Sequence, residues 1–132
     1  MQDLENINPI LNKLKALGVK ISIDDFGTGF SSLSYLTNLP ICELKIDKSF
    51  IFSLEEKSDN RIIAETIISL GKNLNTNIIA EGVEKIEHLA FLKKKNCNEA
   101  QGYLISHPLP KEKIENLLYA KDKFKELNHF YD

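Results

Sequence analysis

Residues 18–29 read GVKISIDDFGTG and combine an alternating segment with a glycine-rich one. From residue 19 to residue 24, apolar and polar side chains alternate with a period of two, which predicts a β-strand. A glycine-rich turn over residues 26–29 follows this strand. Two adjacent carboxylates, Asp24 and Asp25, therefore lie where the predicted strand ends.

Helices and strands alternate along the whole chain on both sides of this stretch. Helices are predicted over residues 4–17, 31–39, 59–74 and 86–92, from Pro110 onward and in the tail 121–132. Gly18 ends the first of these helices, and Asp59 is the predicted N-cap of the third. Further strands are predicted over residues 43–47, 77–80 and 99–103. Strands separated by helices pair in parallel through right-handed crossovers. The pattern predicts an α/β fold with about four parallel strands alternating with helices.

Length and composition suit one soluble domain. The chain has 132 residues, of which 42% are hydrophobic and 27% charged, and no linker divides it. A complete (β/α)8 barrel of the TIM type takes about 250 residues, so half of one is the most that this length can hold.

Charge and cysteine content exclude several classes of protein. The formal net charge is −2, which gives no basic footprint for a nucleic-acid polymer. No apolar run approaches the roughly 20 residues of a membrane span, and the first residues do not resemble a signal peptide. The two cysteines, Cys42 and Cys97, lack metal-ligand spacing. We therefore predict a cytoplasmic protein with no membrane segment.

Polar residues gather at the carboxyl ends of the predicted strands, where parallel α/β folds bind their ligands. Asp24 and Asp25 end the first strand, and the second carries Lys45 and Asp47. Glu81 ends the third strand, and Gln101 lies on the fourth. Several carboxylates meeting at one edge favour a hard divalent cation such as Mg²⁺ or Mn²⁺. Each residue taken singly also fits a structural role, as a helix cap, a turn residue or a surface lysine.

Four segments resemble, in order and spacing, the motifs of the EAL family, bacterial phosphodiesterases that hydrolyse cyclic di-GMP. They are DDFGTG at 24–29, LPICELKID at 39–47, AEGVE at 80–84 and QGYL at 101–104. The resemblance implies a (β/α)8-type barrel with two divalent ions per complete domain. It also implies hydrolysis of cyclic di-GMP to linear pGpG by metal-activated water.

The same resemblance implies roles for individual residues. Asp24 would bridge the two metals, and Asp25 and Glu81 would bind the second. Lys45 and Glu81 are the implied catalytic residues, with Lys45 contacting the attacking water or the scissile phosphate. Gln101 would line the nucleotide site, and Glu84 would help hold a site-closing loop formed by Phe26, Gly27, Thr28 and Gly29.

The chain also departs from the family pattern. The Glu-Ala-Leu motif, and the asparagine and glutamate that complete the first metal's shell, are absent from these residues, and residues 106–108 read Ser-His-Pro instead of Ser-Arg-Pro. We interpret residues 1–132 as a partial EAL domain, the C-terminal half of the barrel. It would contain the last four β-α units with the preceding helix and no second domain.

Three functional hypotheses remain at this point. The first is the C-terminal part of a cyclic di-GMP phosphodiesterase domain, inactive as an isolated chain. The second is a degenerate, non-catalytic binding or regulatory module that acts through dimerisation or a partner chain. A phosphoacceptor switch domain also carries an acidic pair and a lysine. It is disfavoured because the lysine lies on the second strand and only four strands are predicted. The open half-barrel predicts a homodimer or a partner chain that covers it.

Overall fold

A computed structural model describes residues 2–29, 36–54 and 58–119. In chain order the elements are α1 (Gln2–Ala16), β1 (Ser22–Phe26), β2 (Glu43–Ile46), α2 (Lys48–Phe52), α3 (Asp59–Asn73), β3 (Asn77–Ala80), α4 (Ile86–Lys94), β4 (Glu99–Ala100) and α5 (Lys111–Tyr119). The helix predicted over 31–39 falls mostly outside the described residues, and the predicted helical tail 121–132 lies wholly outside them.

The strands form one four-stranded sheet in the order β1-β2-β3-β4. Every neighbouring pair is parallel, and β2 and β3 run in unbroken register from Glu43↔Asn77 to Ile46↔Ala80. Sequential parallel strands with intervening helices are the arrangement of a partial (β/α) barrel. The predicted fold class of four parallel strands alternating with helices is therefore confirmed.

Alternation along β2 and β3 separates a helix-facing side from a polar side. Leu44 and Ile46 of β2 and Ile78 of β3 are fully buried. They belong to the same core cluster as Ala64, Ile67 and Ile68 of α3. Lys45 lies between Leu44 and Ile46, so its side chain points away from the α3 layer, as the period of two predicts.

A bulge interrupts the pairing of β1 with β2. Ile23 pairs with Leu44, whereas the next register pair joins Phe26 to Ile46, so β1 has one residue more than β2 over this interval. Asp25 takes up the extra length with a φ of 49°. A bulge re-aims a side chain that strict alternation would turn to the other face. Asp24 and Asp25 are thus both exposed, while Phe26 returns to the core.

The structure corrects several predicted boundaries. β1 begins at Ser22 rather than residue 19, and β4 covers Glu99 and Ala100 only. Beyond Ala100 the chain turns, because the amides of Ile105 and Ser106 bond back to the Gly102 carbonyl. The N-cap of α3 is Ser58, whose hydroxyl accepts from the Arg61 amide, and not Asp59.

Helix α2 was not predicted from the sequence. It has five residues, fewer than periodicity can detect, and it starts directly after β2. Asp47 directly follows β2 and caps this helix by accepting a hydrogen bond from the Ser49 backbone amide at 2.8 Å.

A search of the described helices for a long, apolar stretch finds none that could cross a membrane.

Candidate functional site

Three carboxylates meet at the carboxyl end of the sheet. Asp24 and Asp25 come from the bulged end of β1, and Glu81 follows the last residue of β3. The Glu81 amide bonds to the Ile46 carbonyl at 3.1 Å, which holds Glu81 beside the end of β2. One carboxylate oxygen from each residue lies within 4.8 Å of the other two. The structure thus brings together the three residues that the sequence places at strand ends.

Lys45 lies between two of these carboxylates. Its Nζ is 3.0 Å from Oδ1 of Asp24 and forms a second, closer ion pair with Glu81. Both Lys45 and Glu81 are largely shielded from water, at 22% and 20% exposure. The hydrogen bond to Glu81, and to a smaller extent the one to Asp24, raises the pKa of Lys45 above its ordinary value. The ammonium therefore stays charged.

Asp25 has an unusual backbone conformation and an unusual electrostatic environment. Its positive φ is supported by Thr28, whose amide and hydroxyl both donate to the Asp25 carbonyl, at 3.3 and 2.9 Å. Partial desolvation, followed by the nearby charges of Asp24 and Asp47, raises the pKa of the Asp25 carboxyl. Strained backbone and crowded carboxylates cluster at functional sites, where a cation would relieve the repulsion.

Asp47 is a further member of the acidic group that sequence reasoning did not select. Its carboxylate lies close enough to that of Asp25 to raise the pKa of Asp25 and to lower its own pKa. The hydrogen bonds from Ser49 lower the pKa of Asp47, and they do so more strongly than burial raises it. The strand-end position that pointed to Asp24 and Glu81 applies equally to Asp47, at the end of β2.

Gln101 lies exposed just after β4, and its backbone amide donates a hydrogen bond to the Ala80 carbonyl at 2.8 Å. It lines a cavity of about 240 Å³ that also borders Glu81, Glu84 and Tyr103. At the same end of the chain, the ring of His107 stacks on that of Tyr103, with centroids 3.9 Å apart. The histidine that replaces the family's arginine therefore forms part of an aromatic pair.

Only some of the residues that were predicted to form a loop after β1 lie in a turn. Phe26 is not a loop residue: it ends β1 and is buried in the core, because the bulge turns it inward. Gly27, Thr28 and Gly29 form the turn, and a Cβ on Gly27 would lie 2.7 Å from the ring of Phe50. The support of this turn by the exposed Glu84 stays a prediction.

The donor chemistry of the cluster suits a hard divalent cation. Asp24, Asp25 and Glu81 offer only carboxylate oxygens, which Mg²⁺ and Mn²⁺ prefer over the nitrogen and sulfur ligands of softer metals. Three carboxylates within this distance fit one cation, or one side of a site with two.

A family model described as the EAL domain matches residues 1–108. The chain belongs to the EAL domain family. Among curated EAL relatives, the cyclic di-GMP phosphodiesterase NbdA of Pseudomonas aeruginosa is 45% identical over 120 residues, which is 91% of this chain. The bifunctional diguanylate cyclase/cyclic di-GMP phosphodiesterase MucR of the same organism is 49% identical over 114 residues, which is 86% of the chain. The chain spans 15% of the first relative and 17% of the second.

Solved EAL structures have the same fold. The PaMucR phosphodiesterase in complex with c-di-GMP superimposes with a TM-score of 0.81 at 49% identity, over 86% of this chain and 46% of that one. The Klebsiella pneumoniae protein BlrP1, solved with manganese and cyclic di-GMP, gives a TM-score of 0.70 at 30% identity, over 77% of this chain and 26% of that one. The described sheet therefore corresponds to part of an EAL barrel.

Proposed function

We propose that this chain supplies the C-terminal half of a two-metal cyclic di-GMP phosphodiesterase site. The observation that carries the proposal is the convergence of Asp24, Asp25 and Glu81 around Lys45 at the carboxyl end of the sheet. The family membership supports the choice of substrate, since relatives named as cyclic di-GMP phosphodiesterases share this stretch of chain.

Each side chain has a distinct task in this proposal. Asp24 would contribute a ligand to both cations of the complete site, and Asp25 and Glu81 would bind the second. Bound Mg²⁺ or Mn²⁺ would activate water and stabilise the charge on the phosphodiester. Lys45, kept charged by its carboxylate partners, positions the attacking water or the scissile phosphate. Gln101 orients the nucleotide from the neighbouring cavity.

The isolated chain is proposed to be inactive. Mg²⁺ favours six oxygen ligands around each ion, and a two-metal site needs several carboxylates beyond those it shares. Within residues 2–29, 36–54 and 58–119 the cluster contributes three. The remaining oxygens would have to come from the other half of a complete barrel.

A chimaera tests this proposal. Residues 1–132 would be joined behind the amino half of the EAL domain of MucR, and release of pGpG would be followed by chromatography with Mn²⁺. We expect hydrolysis by the chimaera and none by the isolated chain. Asp24→Asn should reduce the activity of the chimaera to background, whereas Asp59→Asn, at an exposed position in α3, should leave it unchanged.

Two outcomes would contradict the proposal. A folded chimaera that releases no pGpG would show that this half cannot support the chemistry and would favour a non-catalytic module. Hydrolysis by the isolated chain, abolished by Asp24→Asn, would show that the three carboxylates suffice without a second half.

A further inference from the structure

A second cavity lies outside the carboxylate cluster, between α2, α3 and the start of α4. Its volume is about 500 Å³, within the range of pockets that hold small molecules. Its apolar wall is formed by Phe52 and Leu54, at and just after the end of α2, and by Phe91 of α4. All three elements belong to the described chain, so the cavity does not depend on the other half of a barrel.

Polar groups line the rest of this cavity. Arg61 lies 4.7 Å from the centroid of the Phe91 ring, with its guanidinium over the ring face. The hydrogen bond from its Nη1 to the Leu54 carbonyl is long, at 3.5 Å, and its Nε lies 3.4 Å from Glu65. Because Glu65 pairs more closely with Lys95, at 3.0 Å, Arg61 keeps much of its capacity to donate to a ligand.

His88 adds a directed donor to the same wall. It is only 4% exposed, and its Nδ1 accepts a hydrogen bond from the Glu84 amide at 3.5 Å. An acceptor Nδ1 places the proton of the neutral imidazole on Nε2, which makes that nitrogen a donor. Within the described part of the chain, Nε2 has no hydrogen-bond partner of its own, and no side-chain nitrogen or oxygen there is both fully enclosed and unpartnered. Nε2 is therefore not fully enclosed, and His88 lines this cavity.

The charges around the cavity select the class of ligand. Lys85, exposed at the N-terminus of α4, adds a second cation, and Glu87 contributes one opposing charge. Two cations and the neutral donor of His88, opposed by one carboxylate, favour a ligand with a single negative charge over a polyphosphate. An apolar wall capped by an arginine-aromatic pair favours a flat, ring-sized body.

We propose that this cavity binds a small carboxylic acid with an aromatic body, with its ring against Phe52 and Phe91. The carboxylate lies between Arg61, Lys85 and the Nε2 donor of His88. This binding is separate from the phosphodiesterase proposal and does not require a metal or a complete barrel.

The test is a titration of the chain with phenylacetate, followed by amide-resolved NMR. The matched neutral ligand is phenylacetamide, which keeps the ring and removes the charge. We expect saturable shifts at residues 52–54, 61 and 85–91 with phenylacetate, and binding by phenylacetamide that is weaker by roughly tenfold, which is the loss of one charge-assisted contact.

Variants identify the residues that make the contact. Arg61→Gln should weaken phenylacetate binding by about tenfold or more. Lys85→Gln should weaken it several-fold, and because Lys85 is exposed, this variant keeps the test valid if Arg61→Gln fails to fold. Lys111→Gln, with a lysine 82% exposed on α5, is the control and should bind as the parent does. Equal binding of the acid and the amide, shifts at other residues, or no shifts at about 10 mM ligand would overturn the proposal.

Discussion

At the residue scale, the ammonium of Lys45 lies between carboxylates that come from the ends of two different strands. Its ammonium pairs with Asp24 of β1 and with Glu81 beyond β3. Without it, the carboxylates of Asp24, Asp25 and Glu81 would repel one another across less than 5 Å. The lysine is therefore an internal competitor of a divalent ion as well as a proposed catalytic group.

Replacing Lys45 by methionine should increase the affinity of the chain for Mn²⁺. Because Mn²⁺ carries two charges, removal of a positive charge about 4 Å from the site is worth about 2 kcal/mol in a water-like dielectric, which corresponds to roughly a thirtyfold change. Calorimetric titration with MnCl₂ measures the change, and Lys111→Met is the control for loss of a surface charge. Mn²⁺ binding that is absent, unchanged or weaker in Lys45→Met would contradict the competition.

Gly102 is required by a close backbone approach. A Cβ at this position would lie 2.1 Å from the carbonyl oxygen of Val83 and 2.3 Å from its nitrogen, and backbone atoms have little room to move. We expect Gly102→Ala to lower the free energy of unfolding by more than about 2 kcal/mol, measured by urea denaturation.

The matched control for this change is Gly29→Ala. Among the described residues, no atom lies within 4 Å of a Cβ at Gly29, and the φ of Gly29 is not positive. The free energy of unfolding of Gly29→Ala should therefore differ from that of the parent by less than about 0.5 kcal/mol. Similar losses in the two variants would show that general glycine effects, and not the contact with Val83, determine the cost.

At the element scale, the sequence predicts the regular parts of the fold and misses its local irregularities. β2 and β3 are found because their buried and exposed side chains alternate without interruption. The bulge in β1 is not found, since strict alternation would turn Asp25 away from Asp24. The three-residue excess in the predicted β4 has a similar cause, because residues 101–103 form a turn fixed by contacts with Val83, which lies distant in sequence.

The site residues also divide into those that regular strand patterns predict and those that depend on local irregularities. Strand ends are visible in the sequence, so Asp24, Glu81 and Gln101 are found, and parity places Lys45 on the correct face. The strand-end rule also applies to Asp47, but its proximity to Asp25 depends on the bulge, which alternation does not predict. The second cavity is missed because it forms between helices whose packing no local pattern records.

Helix α4 carries a titratable group whose effect on stability can be measured. Burial, followed by the nearby Lys85, lowers the pKa of His88 below its ordinary 6.5, and Glu87 and Glu84 oppose this only in part. Arg61 of α3 lines the same cavity as His88 and is a further positive charge in its surroundings. Between the folded and the unfolded pKa the unfolded chain binds more protons than the folded one, so acidification favours unfolding.

The free energy of unfolding should therefore fall as the pH decreases from 6.5 to about 5, and should be constant with respect to His88 above 6.5. The lowered pKa of Glu65 acts mainly below its ordinary value of 4.5, outside this window. Urea denaturation at several pH values measures the slope, and His88→Gln should flatten it. A variant with the same slope as the parent would exclude His88 as the cause.

At the scale of the whole molecule, the described sheet ends in two edge strands, β1 and β4. The outer helices also leave apolar surface in water. Four residues of α1 and its end recur at steps of three and four, and their exposed fractions range from 37% to 80%: Ile7, Ile10, Leu14 and Leu17. None of them belongs to the described core cluster. In a closed barrel such surface would face neighbouring units.

We expect the chain to self-associate through this α1 stripe, most simply as a two-fold dimer. Burying one isoleucine side chain stabilises by about 1.5–3 kcal/mol, and a two-fold interface buries each residue twice. Ile10→Gln should therefore raise the dissociation constant by well over tenfold, as measured by light scattering across a range of micromolar concentrations. Lys15→Gln, which creates the same side chain on the other side of α1, should leave the association unchanged. A parent chain that stays monomeric at every concentration, with the amides of all four strands protected from hydrogen exchange, would mean that the open half-barrel is stable without a partner.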